Sequence, residues 1–107
     1  MTYEFMRLLL FFDLPMVTKK DVRIYTRFRK YLIKQGYIML QFSVYCKLFA
    51  NREALVNHVE ILKRNVPANG QVRVMMVTER QYNKMQLLSG SITVQEKKVS
   101  ADTFIKL

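Results

Sequence analysis

The chain has 107 residues, half of them hydrophobic, which suits a single globular domain and excludes a disordered polymer. Eighteen Lys and Arg against eight Asp and Glu leave a net charge of +10, so the expected partner is a polyanion, with nucleic acid foremost. Apolar runs fall far short of the about 20 residues a bilayer span needs, Met-Thr-Tyr-Glu-Phe at the N-terminus lacks the basic flank of a secretory signal, and a lone cysteine, Cys46, excludes an internal disulfide, so a reducing cytoplasm is the expected compartment.

Met6 to Pro15, Met-Arg-Leu-Leu-Leu-Phe-Phe-Asp-Leu-Pro, reads as a strand buried on both faces. Pro15 has no N–H for a ladder and ends it. Asp13 is its one acid, and an ionised carboxylate is costly in an apolar core, so Asp13 is expected at the strand mouth. It is read there either as a cap or turn residue or as a metal ligand.

Thr18 is placed to cap a helix running to about Gln35, with Asp21 in the first turn and Gly36 just past the end. Ile24, Tyr25, Phe28, Tyr31, Leu32 and Gln35 share one face. Lys19, Arg23, Arg27, Lys30 and Lys34 share the other, within a stripe of roughly 80° that contains no acid. Like charges at i,i+4 lower helix stability, so the stripe has no local benefit. A merely solvated face would mix signs, and a phosphate-contacting surface is the favoured reading. Arg29 lies off the stripe.

Tyr37 to Phe49 alternates, which predicts one long strand. Leu40, Phe42, Val44, Cys46 and Leu48 would form its apolar face, and Met39, Gln41, Ser43, Tyr45 and Lys47 the mixed one. Asn51 is expected to cap a second helix, with Leu55, Val59, Leu62 and Val66 as its buried stripe. His58, the only histidine, has no ligand set at metal-binding spacing and reads as a surface or boundary residue. Pro67 to Gly70 is a turn, Gln71 to Val77 a further buried strand, and Thr78 to Met85 a short helical turn. Gln86 to Leu88, Ile92 to Gln95 and Thr103 to Leu107 are short extended candidates. The expected organisation is one domain over 1–90 and a tail over 91–107 that forms a strand with a partner protomer.

This order predicts a ferredoxin-like α+β sandwich, βαββαβ, with the second strand shared or split within Tyr37–Phe49. Leu9 and Phe11, with Met75 and Val77, would make the sheet face away from the helices apolar as well. An apolar face that no helix covers predicts a symmetric sheet-on-sheet homodimer.

Four blocks carry a resemblance: Met6 to Pro15; Tyr25-Thr-Arg-Phe-Arg-Lys-Tyr-Leu; Gly36-Tyr-Ile-Met-Leu-Gln-Phe-Ser-Val-Tyr45; and Val77-Thr-Glu-Arg-Gln81. In that order, over about Met6 to Leu88, they resemble CRISPR-associated protein two, the small partner of the CRISPR integrase in spacer acquisition, in its type II branch. The resemblance implies a homodimer, with a C-terminal strand that often crosses between protomers. It implies a scaffold that bridges integrase dimers and holds protospacer duplex DNA on a basic surface. It also implies, from family members described as metal-dependent endonucleases, Mg²⁺ held between protomers by the carboxylate at Asp13. A hard cation poised for phosphodiester cleavage normally wants two or more carboxylates, and a dimer would supply the second as the symmetry-related Asp13. The scaffold ranks first and the Mg²⁺-dependent nuclease second. A single-stranded RNA-binding module is the third class, resting on Phe11 and Tyr45 as stacking aromatics; Val72 to Val77 offers none.

Overall fold

A computed structural model describes residues 4–92 of the chain. The elements run β1 (Met6–Asp13), α1 (Lys19–Lys34), β2 (Ile38–Gln41), β3 (Val44–Phe49), α2 (Arg52–Leu62), β4 (Gln71–Thr78) and α3 (Glu79–Asn83). The strands form one sheet in the order β2-β3-β1-β4, and each neighbouring pair is antiparallel. This is the expected α+β, ferredoxin-like arrangement, with β1 central and joined to both β3 and β4.

The main core lies between the sheet and α1 and α2. Leu8, Leu10 and Phe12 of β1 meet Tyr25, Phe28 and Leu32 of α1 and Leu55 and Leu62 of α2. Phe12 anchors an aromatic cluster, edge-on to Phe28 and stacked on Tyr45. Alternation along β1 decides this packing, because every second side chain faces the helices. Both ends of α1 are closed as its sequence predicts. Thr18 Oγ1 accepts from the Asp21 amide, and the Asp21 carboxylate accepts from the Thr18 amide, a reciprocal capping box. At the other end Gly36 takes φ +93°, its amide donates to Ile33 O, and Tyr37 N–H donates to Leu32 O, a Schellman closure.

The single long strand expected over Tyr37–Phe49 is instead a hairpin, β2 and β3. Gln41 pairs with Val44, and Phe42-Ser43 make the turn, with Ser43 at φ +65°. Positive φ is uncommon outside Gly, and no Gly, Asn or Pro marks this turn, so pattern alone runs through it. The register also shifts between Met39 and Gln41. The grouping of side chains survives the turn, Met39 with Tyr45 and Leu40 with Cys46, but the face expected to be mixed is the one that meets the helices. Tyr45, expected on a mixed face, is 1% exposed in the main core with Tyr37, Met39 and Phe49. Phe42, expected on the apolar face, stands 71% exposed at the turn with its ring stacked beside Tyr25.

The face away from the helices is apolar, as expected, but it is partly covered. Leu9, Ile38 and Cys46 form a second cluster, and Leu40, Val77 and Tyr82 of α3 pack against it. The cover is anchored by Arg7, 2% exposed within a run that reads as apolar. Its guanidinium donates from Nε to Glu79 Oε1 at 2.9 Å and from Nη2 to Glu79 Oε2 at 3.2 Å, and it lies 4.0 Å from the centroid of the Tyr82 ring. What remains open is the other end of this face, where Phe11 is 36% and Met75 54% exposed.

Gln86 to Leu88 is irregular, not a strand. Residues 93–95 and 103–107, and with them the expected strand exchange, lie outside the described residues. Among the described residues no helix is long and apolar enough to cross a membrane.

Candidate nucleic-acid interface

The side of α1 opposite Tyr25, Phe28 and Leu32 carries Lys19, Arg23, Arg27, Lys30 and Lys34, and all five are exposed. From first to last they span about 22 Å along the axis at 1.5 Å per residue. The sequence spacing therefore does become a continuous cationic line. Its upper end opposes local stability: Lys19 and Lys20 sit in the first turn, where the helix dipole favours acids. The acid that is present, Asp21, is turned inward to the cap. Hydrogen bonds from the Thr18 and Val17 amides hold its carboxyl below the usual range. It neutralises none of the stripe directly.

Arg29 lies off this line, as expected, but it is tied to the core: its guanidinium lies beside the Tyr45 hydroxyl. Burial pushes that phenol up, and Arg29 draws it partly back. Its removal would disturb the core, which disqualifies it as a simple charge control. Lys63, paired with Glu60 at 3.0 Å on α2, is the better comparison.

Asp13 ends β1 opposite Gln71 and is exposed at the strand mouth, where its charge stays hydrated. The Asn69-Gly70 turn presses against it. A Cβ at Gly70 would lie 2.5 Å from Asp13 O and 2.6 Å from Leu14 Cδ2, so only glycine fits. Asp13 shares a shallow groove with Phe11, Ser43, Gln71 and Arg73. Neither Ser43 nor Arg73 stands out as a site residue in the sequence. Arg73 has a legible signal in retrospect, being the one charge inside an otherwise apolar strand. Among the described residues no three His, Cys, Asp or Glu side chains gather to hold a metal ion. Asp13 is the one carboxylate lining that groove, short of the two that Mg²⁺ chemistry on phosphodiesters normally uses.

His58 is half-buried between helix and sheet, where its Nε2 lies 2.7 Å from the Tyr37 hydroxyl and its ring packs on Phe49. Burial and nearby Lys47 lower its pKa. It is a boundary residue, as read from the sequence. Tyr45, the stacking candidate for single-stranded RNA, is closed inside the core and offers no face for a base.

The model of the family described as CRISPR associated protein Cas2 matches residues 6–85. That span holds Asp13 and all five bases of the α1 stripe. The chain belongs to the Cas2 family. Among its relatives, a CRISPR-associated endoribonuclease Cas2 from Acidovorax ebreus is 50% identical over 96 residues, 90% of this chain and 94% of the relative. Proteins of the same description from Treponema denticola and Ligilactobacillus salivarius are 48% and 37% identical over 79% and 95% of this chain, covering 84% and 100% of those relatives. In Cas2 terms, the Val77–Gln81 block of the chain has a structural meaning. Thr78 and Gln81 form the capping box of α3, and Glu79 between them reaches Arg7.

Proposed function

We propose that this Cas2 protein serves CRISPR adaptation as a binding scaffold that holds duplex DNA by its backbone and joins it to the integrase. The acid-free line of five exposed cations on α1 carries this reading. Such a line meets phosphates at no particular sequence, which suits a carrier of arbitrary spacers. The scaffold acts as a homodimer packed through the open end of the second sheet face, around Phe11 and Met75, so that each duplex meets two stripes. The test is duplex binding across salt. Arg23→Ala and Lys30→Ala each weaken duplexes of unrelated sequence alike and lower the magnitude of the log–log salt slope by about 0.9 for every phosphate no longer neutralised. Lys63→Ala, with the same change in net charge, leaves the slope in place. Equal effects from all three substitutions mean that overall charge explains binding and the stripe does not.

A second reading has its own observation: the relatives are described as endoribonucleases. In it, Asp13 and the Asp13 of a second copy hold Mg²⁺, which supplies charge stabilisation at the phosphate, and Ser43 and Arg73 line the approach. Asp13→Asn then abolishes metal-dependent cleavage of RNA or DNA and leaves duplex affinity unchanged. Cleavage that survives the substitution, or that persists in chelator, sinks this reading without touching the scaffold.

A further inference from the structure

The α1 stripe accounts for Arg27 as one base in a line, but the fold gives it a neighbour from elsewhere in the chain. Arg27 and Arg64 line one groove between α1 and the corner after α2, and Ile24, Val66 and Pro67 are among the apolar residues between them. No acid lines it. The corner that carries Arg64 is held firmly. The amides of Arg64 and Asn65 donate to Ile61 O and Leu62 O, and Asn65 Nδ2 donates to Ile61 O at 2.9 Å. Pro67 restricts the backbone two residues further on. Arg64 is thus an exposed cation on a fixed backbone. Nothing in its sequence position, at the end of the second helix, suggests more than a favourable charge near the negative pole of that helix.

We infer that this groove seats one phosphodiester unit of the bound duplex, with a single phosphate held between the Arg27 and Arg64 guanidiniums and the adjoining deoxyribose against the apolar floor. The chemistry of each part matches. Guanidinium forks suit phosphate oxygens. A sugar ring presents C–H faces that pack on aliphatic side chains. The groove is continuous with the cationic line through Arg27, so a backbone following α1 reaches it. The inference rests on the duplex-binding reading above and deepens it: one phosphate position becomes a two-sided clamp, shared between α1 and the α2–β4 corner, while the others stay one-sided.

The clamp has a salt signature that a string of independent cations lacks. The slope counts phosphates neutralised, not cations present. With either arginine left, the seated phosphate is still neutralised. Arg27→Ala and Arg64→Ala therefore each lower affinity but leave the slope nearly unchanged, while the double variant lowers it by about 0.9 per protomer. The experiment is a titration of a short blunt duplex from about 50 to 200 mM salt with the full-length protein. It includes both singles, the double, Arg23→Ala and Lys63→Ala, with circular dichroism to verify the fold. Two arginines each neutralising its own phosphate would give about 0.9 per protomer for each single and twice that for the double, which overturns the shared seat. Wild-type binding by Arg64→Ala also overturns it. In either case a flattened slope for Arg23→Ala keeps the stripe standing; an unchanged slope there removes the stripe as well. If Arg64→Ala binds duplex normally but no longer co-elutes with the integrase, the groove is a protein-docking surface and the phosphate seat is wrong.

Discussion

At the scale of single residues, His58 shows how packing sets a charge state. Tyr37, Phe49 and Lys47 surround it, and burial together with Lys47 disfavours its imidazolium, so its pKa in the folded chain lies below the ordinary value of 6.5. Lys47 is itself lowered by burial, with Nζ donating to Gln35 O at 2.7 Å. Lowering on folding means the unfolded chain binds the proton more readily. The neutral histidine then stabilises the fold fully above pH 6.5, and that contribution is lost as the pH falls toward the folded value. The denaturation midpoint is therefore expected to drop between about pH 7.5 and pH 5.5 in the wild type and to drop less in His58→Gln. Parallel slopes for the two proteins would contradict the assignment.

Among the elements, α3 is short, with five residues from Glu79 to Asn83, and a buried ion pair is one of the contacts that hold it in place. Its capping box fixes the first turn, and the Arg7–Glu79 pair fixes the helix to the central strand. Burial opposes the charge on Arg7, but hydrogen bonds to Glu79 and Cys46 outweigh it and hold the guanidinium protonated more firmly than usual. Removing one member of a buried pair costs more than the pair contributes, because the other charge loses its compensation in a dry site. Glu79→Ala is expected to lower unfolding free energy by about 3 kcal/mol, read from a urea midpoint at fixed protein concentration. The Arg7→Met/Glu79→Met double variant should recover most of that stability, since well-packed apolar replacements of buried pairs are often neutral. A double variant as unstable as the single would mean the link does more than balance charge.

For the molecule as a whole, the sheet is unequally protected. The helices cover most of one face but leave Val74 of the edge strand β4 exposed, α3 covers part of the other, and Phe11 and Met75 mark what is left open there. Paired with a two-fold copy, this region would bury apolar surface from both protomers and bring two Asp13 strand mouths toward each other. Light scattering at micromolar concentration is expected to give a dimer mass, and Met75→Glu, placing a charge in that face, is expected to give a monomer that keeps its secondary structure. A wild-type monomer would remove the sheet-on-sheet dimer and, with it, any metal shared between two Asp13 carboxylates.

Local chemistry was enough to read some of this protein from its sequence. Capping at Thr18, closure at Gly36, the two helices, β1 and the position of β4 all depend on residues near in the chain, so spacing and turn residues reveal them; the burial expected of β4 does not hold, because it is an edge strand with no buried residue. The α1 stripe is legible for the same reason: helix geometry alone brings Lys19, Arg23, Arg27, Lys30 and Lys34 to one side. Asp13 at a strand mouth follows from the cost of burying a carboxylate. Tertiary structure decided the rest. Ser43 adopts a positive φ without a turn residue to announce it, and the packing of the hairpin against the helices buries Tyr45 while Phe42 stands out at the turn. Arg7 is buried among apolar neighbours because Glu79 lies 72 positions away in the chain and beside it in space. Arg64 meets Arg27 only because α2 and its corner pack next to α1. Periodicity reports which side of its own element a residue occupies; which distant group waits on that side is set by how the elements pack.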